Sequence, residues 1–214
     1  MIMRIKYKVT KPLLIAVALV SLLFVEPVTL SAQEKKSLTL ESIFKEGYFR
    51  ERGFGPVRWM KDNKSYSTLE ANAQVKGHDI VRYDAATGTR TVLISAESLI
   101  PKGAKNPLSI ADYVWSNDNK QLLIFTNTRK VWRYHTRGDY WVLNVKTNEL
   151  LQIGKSVEPT TSMFAKFSPD GTRVAFVSNQ NIYVEVPGSG VTTQLTKDGG
   201  GDIINGTFDW VYEE

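Results

Sequence analysis

Three stretches of the chain repeat one order of aromatic, polar and apolar positions. Each contains an aromatic residue, a polar turn in which Asp precedes Asn or Gly, a basic residue and an apolar run. Asp-Asn and Asp-Gly readily adopt the left-handed backbone angles that tight hairpins need, so each stretch predicts two strands joined by a short turn. The stretches are Val57–Tyr66, Tyr113–Leu123 and Ala165–Ala175.

A second hairpin signal follows each stretch, because an apolar-rich strand leads through a polar turn into another strand. These hairpins occupy 78–94, 139–153 and 181–195, with turns at 87–88, 147–148 and 187–190. The resulting four-stranded units recur about every fifty residues, a spacing typical of a radial repeat. The predicted fold is all-β, with three four-stranded antiparallel blades of a β-propeller.

Three blades are too few for a closed ring, since propellers have about 4–8 blades. A further unit is predicted to begin at Asp198, and the sequence ends at Glu214. We therefore expect residues 53–214 to be an incomplete propeller with the start of a fourth blade. The remaining blades and any later domain are expected in a longer protein.

Residues 1–32 have the order of a secretory signal. Four basic residues precede the apolar run Leu13–Val25, in which Ser21 is the only polar residue, and small residues follow up to Ala32. A membrane-spanning helix needs about 20 apolar residues, so this shorter run favours a cleavable signal helix. Export to the periplasm or the medium is predicted, and an uncleaved anchor is the alternative. Residues 33–52 are predicted to be an N-terminal extension.

Composition fits a packed exported domain and excludes two function classes. The apolar share is 42%, and there is no cysteine to form a disulfide or carry a lipid. The net charge of +5 falls to +2 without residues 1–32, which leaves 23 basic and 21 acidic side chains. A nucleic-acid partner is therefore not expected. His78 and His135, without cysteine, also make a metal site or cofactor unexpected.

The chain contains no G-x-S-x-G nucleophile motif, so no catalytic residue is predicted within it. Two other segments are more informative. They are Lys130–His135, with the sequence KVWRYH, and Asp209–Glu214, with the sequence DWVYEE. In order, separation and the blade phrases between them, they resemble segments of the dipeptidyl peptidase IV family, and the resemblance covers roughly residues 38–214.

The resemblance implies an activity that needs more than this chain. In that family a propeller covers an α/β-hydrolase domain with a Ser, Asp and His triad, which releases dipeptides with Pro or Ala at the second position. The implied partners are a peptide with a free amino terminus, that hydrolase domain of the same chain, and a second copy in a homodimer. The fragment alone is expected to be inactive.

The resemblance also implies two substrate-binding residues. Glu214 corresponds to the first glutamate that binds the substrate ammonium, and Arg133 to the arginine that binds a substrate carbonyl oxygen. A second amine-binding glutamate would follow Glu214. The flanking motif residues are Trp132, Asp209, Trp210, Tyr212 and Glu213.

Without the resemblance, the same residues have plainer interpretations. Glu213 and Glu214 would be a solvated acidic end, Arg133 a surface strand residue, and the tryptophans part of blade packing. The alternative functions are a non-catalytic exported propeller of the TolB type, or another branch of the prolyl oligopeptidase superfamily that lacks the amine-binding glutamates.

Overall fold

The computed structural model describes residues 38–49 and 55–208. The chain divides into two compact units, Met1–Arg52 and Gly53–Glu214. In the first unit, a π-helical segment spans Glu41–Lys45. The predicted signal helix lies outside the described residues, and the predicted domain boundaries stay predictions. In the described ranges, no helix is long and apolar enough to cross a membrane.

The second unit contains three four-stranded antiparallel sheets, each a meander of consecutive strands. We call them blades 1, 2 and 3. The strands of blade 1 are β1 (Arg58–Trp59), β2 (Ser65–Ala71), β3 (His78–Asp84) and β4 (Arg90–Ile94). Blade 2 contains β5 (Asp112–Trp115), β6 (Gln121–Val131), β7 (Tyr134–Asn144) and β8 (Leu150–Ile153). Blade 3 contains β9 (Met163–Phe167), β10 (Val174–Ser178), β11 (Asn181–Glu185) and β12 (Thr192–Gln194). The predicted partial propeller is confirmed, and a 3₁₀ turn, Ala96–Leu99, joins blades 1 and 2.

The repeated polar turns join the first two strands of each blade. Asn63, Asn119 and Gly171 have φ values of 52°, 57° and 73°, so all three adopt the left-handed conformation. Asn and Gly tolerate this conformation better than other residues, which explains why the turn sequence recurs. The prediction of tight left-handed turns at these positions is confirmed.

Apolar side chains fill the spaces between neighbouring blades. One buried cluster joins blade 1 to blade 2 around Ile80, Tyr113 and Leu122, and another joins blade 2 to blade 3 around Leu123 and Phe176. Stacked units of this kind bury their apolar faces against each other and not within one sheet. The blades are therefore held mainly by their neighbours.

Polar contacts fix the register of blades 1 and 2. The hydroxyl of Ser67 in β2 lies 3.0 Å from the hydroxyl of Tyr113, and the indole N–H of Trp115 donates to Ser67 Oγ over 3.1 Å. Arg58 of β1 also pairs with Asp112 of β5. These contacts join strands of blade 1 to the first strand of blade 2.

Antiparallel order gives each blade two different ends. The turns between strands one and two lie at the end that we call the Asp-turn end. The turns between strands two and three, and the connections between blades, lie at the opposite end, which we call the cavity end. In blade 2, β6 and β7 contain 11 residues each, whereas the corresponding strands of blade 3 contain 5. The β6–β7 hairpin therefore extends beyond its neighbours at the cavity end.

The chain after β12 returns across blade 3. Between Gly200 and Ile203 it forms an isolated bridge, and up to residue 208 it forms no strand. The backbone N–H of Asn205 donates to the carbonyl of Gln180 over 3.1 Å. Gly206 has a φ of 76°, and an added Cβ would lie 2.6 Å from Val177 Cγ2. The start of a fourth blade, predicted from Asp198 onward, stays a prediction.

Candidate functional site

The β6–β7 hairpin ends in a two-residue tip, Trp132-Arg133, because Val131 pairs directly with Tyr134. Trp132 has a φ of 53°, a conformation that is costly for a bulky residue. Its side chain is 78% exposed, and Arg133 beside it is also exposed. Strained backbone that holds exposed aromatic and cationic groups is more typical of a binding element than of blade packing.

A register irregularity redirects the hairpin where it leaves the sheet. Pairing shifts between Thr126 and Arg129, and Asn127 between them has a φ of 47°. The side-chain amide of Asn127 donates to Asp139 Oδ2 over 2.7 Å, which ties the two strands together. Bulges of this kind bend a strand and change the direction of the residues beyond it.

The base of the hairpin is attached to blade 3. Asp139 Oδ1 accepts the backbone N–H of Thr160 over 2.7 Å, and the N–H of Gly138 donates to the carbonyl of Ser162 over 3.0 Å. Gly138 also lies directly against the neighbouring strand β6, since an added Cβ would lie 2.6 Å from Phe125 Cε2 and from the carbonyl of Thr126. These two hydrogen bonds thus hold the hairpin against the segment that leads into β9.

Blade 3 contributes strained backbone to the same region. Phe164 in β9 has a φ of 53°, and the β10–β11 turn contains Asn179 and Gln180 with φ values of 45° and 62°. Positive φ costs about 1–3 kcal/mol for such residues, so the surrounding packing must stabilise it. Backbone of this kind is concentrated at binding sites and switch regions.

The returning segment 199–208 forms the third side. An added Cβ at Gly199 would overlap the carbonyl of Gln180, so the two backbones are in close contact. Phe208 packs edge-on against Phe164, with the ring centres 6.4 Å apart and the planes at 79°. The chain therefore reaches the hairpin region just before Asp209.

These three sides enclose an open cavity of about 660 Å³. Its lining combines aromatic and apolar side chains with two amides, two threonines and one arginine. The lining residues are Val131, Trp132, Thr136, Arg137, Met163, Phe164, Asn179, Gln180, Gly199, Gly200, Ile204, Thr207 and Phe208. A largely apolar cleft with a few converging polar groups is the usual form of a small-ligand or peptide-end site.

The electrostatics of the hairpin are cationic. Arg129, Lys130, Arg133 and Arg137 lie on it, and none forms an ion pair within the described residues. Burial raises the pKa of Tyr140, at the hairpin base, to about 12, so this phenol is neutral at ordinary pH. Residues 38–49 and 55–208 contain no acidic or histidine cluster suited to a metal ion. The described part of the site, taken by itself, therefore favours anionic or hydrogen-bond-accepting groups.

Comparison with known proteins identifies the region. Residues 116–214 match the model of the dipeptidyl peptidase IV N-terminal region. These residues belong to the dipeptidyl peptidase IV family.

Individual relatives extend the match beyond that range. The chain is 29% identical over 97% of its length to a putative dipeptidyl aminopeptidase of Schizosaccharomyces pombe, and it covers 25% of that protein. It is 29% identical over 84% of its length to a probable dipeptidyl-aminopeptidase B of Chaetomium globosum, and it covers 20% of that protein. The crystal structure of Porphyromonas gingivalis dipeptidyl peptidase 4 matches with a TM-score of 0.67 and 31% identity, over 84% of this chain and 24% of that one. The chain thus spans about a quarter of the relatives' length.

The structure locates only part of the predicted dipeptidyl peptidase site. Trp132 lines the cavity, and Arg133 follows it at the hairpin tip. The other predicted residues, Asp209, Trp210, Tyr212, Glu213 and Glu214, lie outside the described residues. That Arg133 and Glu214 share one cavity stays a prediction, although Phe208, which directly precedes the acidic segment, lines that cavity.

Sequence reasoning missed several residues of the cavity. Arg137, Phe164, Asn179 and Gln180 were not singled out, although all of them line it. For Arg137 a signal was available, because it is the last of four Lys and Arg residues between positions 129 and 137. For the β10–β11 turn no signal was available, since its left-handed residues lack the Asp-Gly pattern.

Proposed function

We propose that this chain is the N-terminal propeller region of an exported serine-type dipeptidyl peptidase that releases Xaa-Pro and Xaa-Ala dipeptides from free amino termini. The cavity beside the β6–β7 hairpin holds the substrate amino end. One observation carries the proposal. Trp132, which stands beside Arg133 at the hairpin tip, and Phe208, which directly precedes the acidic segment 209–214, line one cavity although they are distant in sequence.

Arg133 suits the role of a carbonyl-binding residue. Its guanidinium is permanently charged, and its donors are fixed in a planar fork that can hold a carbonyl oxygen in one orientation. The exposed two-residue tip leaves it without a partner within the described residues, so its donors are available to a ligand. Because Trp132 lines the cavity, its neighbour is well placed to reach a peptide bound there.

Glu214 suits the role of the amine-binding group. An ammonium that leaves water for a mostly apolar cavity loses hydration, and a carboxylate offers it both a counter-charge and hydrogen-bond acceptors. A peptide with a blocked amine would leave that carboxylate buried and unpaired. Glu214, together with Arg133, would thus limit cleavage to peptides with a free amino terminus.

The chemistry itself is assigned to a hydrolase domain of the longer protein. This chain has no nucleophile motif. In this proposal the propeller binds the amino end of the substrate and gates access to the catalytic domain. Purified residues 33–214 are expected to show no turnover of a Gly-Pro chromogenic substrate. We further propose a periplasmic or secreted location, with homodimers of the full-length protein.

Steady-state kinetics of the full-length protein test the proposal. The variants are Arg133→Lys and Glu214→Gln, assayed on an Xaa-Pro substrate. Losing a charge-assisted hydrogen bond typically costs about 1.5–3 kcal/mol, so kcat/KM is expected to fall about tenfold to a hundredfold in Glu214→Gln. Arg133→Lys should also lower it, because a flexible point charge replaces a planar fork.

Arg129→Lys is the matched control, since Arg129 lies on the same hairpin, is exposed and does not line the cavity. It should leave kcat/KM within about twofold, as expected for an exposed substitution away from the site. Unchanged kcat/KM in Arg133→Lys and Glu214→Gln, with folding intact, would show that these segments serve blade packing and do not bind substrate.

A further inference from the structure

Arg137 is the one charged residue among the described residues that line the cavity. It is half-buried, unlike Arg129, Lys130 and Arg133 on the same hairpin, which are exposed. Within the described residues its side chain forms neither an ion pair nor a side-chain hydrogen bond. A partly desolvated guanidinium without a partner is unfavourable, so its position calls for a compensating contact.

The pairing of the two strands makes this cost larger. Arg137 lies directly opposite Arg129, and the next pair outward is Lys130 with His135. Like charges that face each other across antiparallel strands are destabilising. Arg129 can extend into solvent, but Arg137 lies beside the cavity. The arrangement is therefore best explained by an anionic group that binds Arg137.

The geometry points to a carboxylate, and we propose that Arg137 is a carboxylate-binding residue of the cavity, with a role separate from that of Arg133. Guanidinium binds carboxylates through two parallel N–H···O bonds, which suits a group held at a fixed place. None of the described residues that line the cavity carries a carboxylate. The carboxylate must therefore come from another segment or from a ligand.

Two sources can supply this carboxylate. Asp209 and Glu213 lie within five residues of Phe208, which lines the cavity. In that case Arg137 is a positioning residue that holds the acidic segment and, through it, Glu214. The other source is an acidic side chain of the substrate, which rests on the proposed function and would make Arg137 a specificity residue.

Kinetics of the full-length protein distinguish the two sources. Arg137→Gln and Arg137→Lys are assayed on Glu-Pro and Gln-Pro substrates, which differ in charge but hardly in shape. If the substrate supplies the carboxylate, Arg137→Gln lowers kcat/KM about tenfold or more for Glu-Pro alone. If the chain supplies it, both substrates lose equally, mainly through KM. In both cases Arg137→Lys, which keeps the charge, should retain part of the activity.

A readout without catalysis keeps the test independent of the proposed function. Thermal unfolding can be measured for two double-mutant cycles. One cycle combines Arg137→Gln with Asp209→Asn, and the other combines Arg137→Gln with Glu213→Gln. Non-additive shifts in either cycle show that the chain supplies the carboxylate, even if the protein cleaves no Xaa-Pro substrate. Arg129→Gln is the matched control, because it removes the same charge from the opposite position, and it should be neutral or stabilising.

Two results together would overturn the carboxylate proposal. The shifts in thermal unfolding would be additive in both cycles, and wild type and Arg137→Gln would have equal kcat/KM on the Glu-Pro substrate. Additive cycles in a protein that cleaves neither substrate would also overturn it. If the wild type cleaves neither substrate but a cycle is non-additive, the proposed function fails while the carboxylate role stands.

Discussion

The Asp-turn end and the cavity end of the blades differ in the sequence and conformation of their turns. At the Asp-turn end, the same turn recurs three times with nearly the same chemistry. At the cavity end, the β2–β3, β6–β7 and β10–β11 turns differ in length, residue type and conformation. Because a repeat that serves packing tends to be preserved from blade to blade, the departures from it are the more informative positions. They occur where the cavity lies.

In the Asp turns, the carboxylates accept hydrogen bonds from groups of the same turn. Asp62, Asp118 and Asp170 each have a pKa lowered to about 2, mainly by hydrogen bonds from local backbone N–H and serine hydroxyl groups. The backbone N–H donors are Lys64, Lys120 and Thr172, and the hydroxyl donors are Ser65, Ser116 and Ser168. Apart from the ion pair between Asp62 and Arg82 of β3, these partners lie within the turns, so the carboxylates have little capacity left for a ligand.

The cavity end has the opposite character. The arginines of the β6–β7 hairpin lack partners within the described residues, and Trp132, Phe164 and Gln180 adopt costly positive φ angles. Strain and unpaired charge are tolerated where function requires them and packing elsewhere offsets the cost. We infer that the Asp-turn end serves stability and the cavity end serves binding.

The largest expected effect concerns the close packing of β7 against β6 at the base of the hairpin. Gly138→Ala places a Cβ 2.6 Å from Phe125 and from the carbonyl of Thr126. Overpacking of this kind costs about 1–3 kcal/mol, so the free energy of unfolding should fall by that amount. Denaturant unfolding of the full-length protein measures it. Activity should fall too, because moving β7 away from β6 at Gly138 displaces the hairpin that lines the cavity.

Gly55→Ala is the comparison variant for this test. An added Cβ at Gly55 meets the side-chain oxygen of Thr68 at 3.0 Å, and a side chain can adjust more easily than a backbone carbonyl. It should destabilise the protein less and leave the cavity end unaffected. Equal effects of the two variants would argue against a specific requirement for close β6–β7 packing at Gly138.

The Asp turns should produce a smaller effect, visible as a pH dependence. Their carboxyl pKa is about 2 in the folded chain against an ordinary value of 3.8. A lowered folded pKa stabilises the fold above the ordinary pKa, and this stabilisation is lost as pH falls from about 4 to about 2. The triple variant Asp62→Asn, Asp118→Asn, Asp170→Asn should therefore melt with a flatter pH profile in that range. Identical profiles for wild type and variant would contradict this role.

The smallest expected change in stability is that of Trp132→Ala. The side chain is 78% exposed at a hairpin tip, so its removal should alter the free energy of unfolding by no more than about 0.5 kcal/mol. If Trp132 lines a substrate cavity, kcat/KM should nevertheless fall. A variant that is markedly destabilised, or fully active, would remove the distinction between the two ends.

The repeated features were predictable from sequence because their causes are local. The Asp-Asn and Asp-Gly turns need particular backbone angles, and Asn63, Asn119 and Gly171 adopt them. Apolar-rich runs bounded by polar turns then predicted the strands that follow, such as β3 and β11. The Trp132-Arg133 tip was found only through family resemblance, since an exposed Arg in a strand has no distinctive pattern.

The cavity could not be predicted, because its causes are long-range. The added length of β6 and β7 and the register shift at Asn127 have no signature in the residue pattern. The return of segment 199–208 depends on contacts with Gln180 and Phe164 in blade 3. The close approach of Gly199 to the carbonyl of Gln180 likewise has no local signal in the sequence.

The central claim is that the cavity end binds a free peptide amino terminus, and inhibition constants test it most directly. An Xaa-Pro dipeptide and its N-acetylated form are compared as inhibitors of the full-length protein. The free amine should bind about tenfold to a hundredfold more tightly, the value of a charge-assisted hydrogen bond, and Glu214→Gln should reduce that ratio sharply. Equal inhibition by both forms in the wild-type protein would contradict the account.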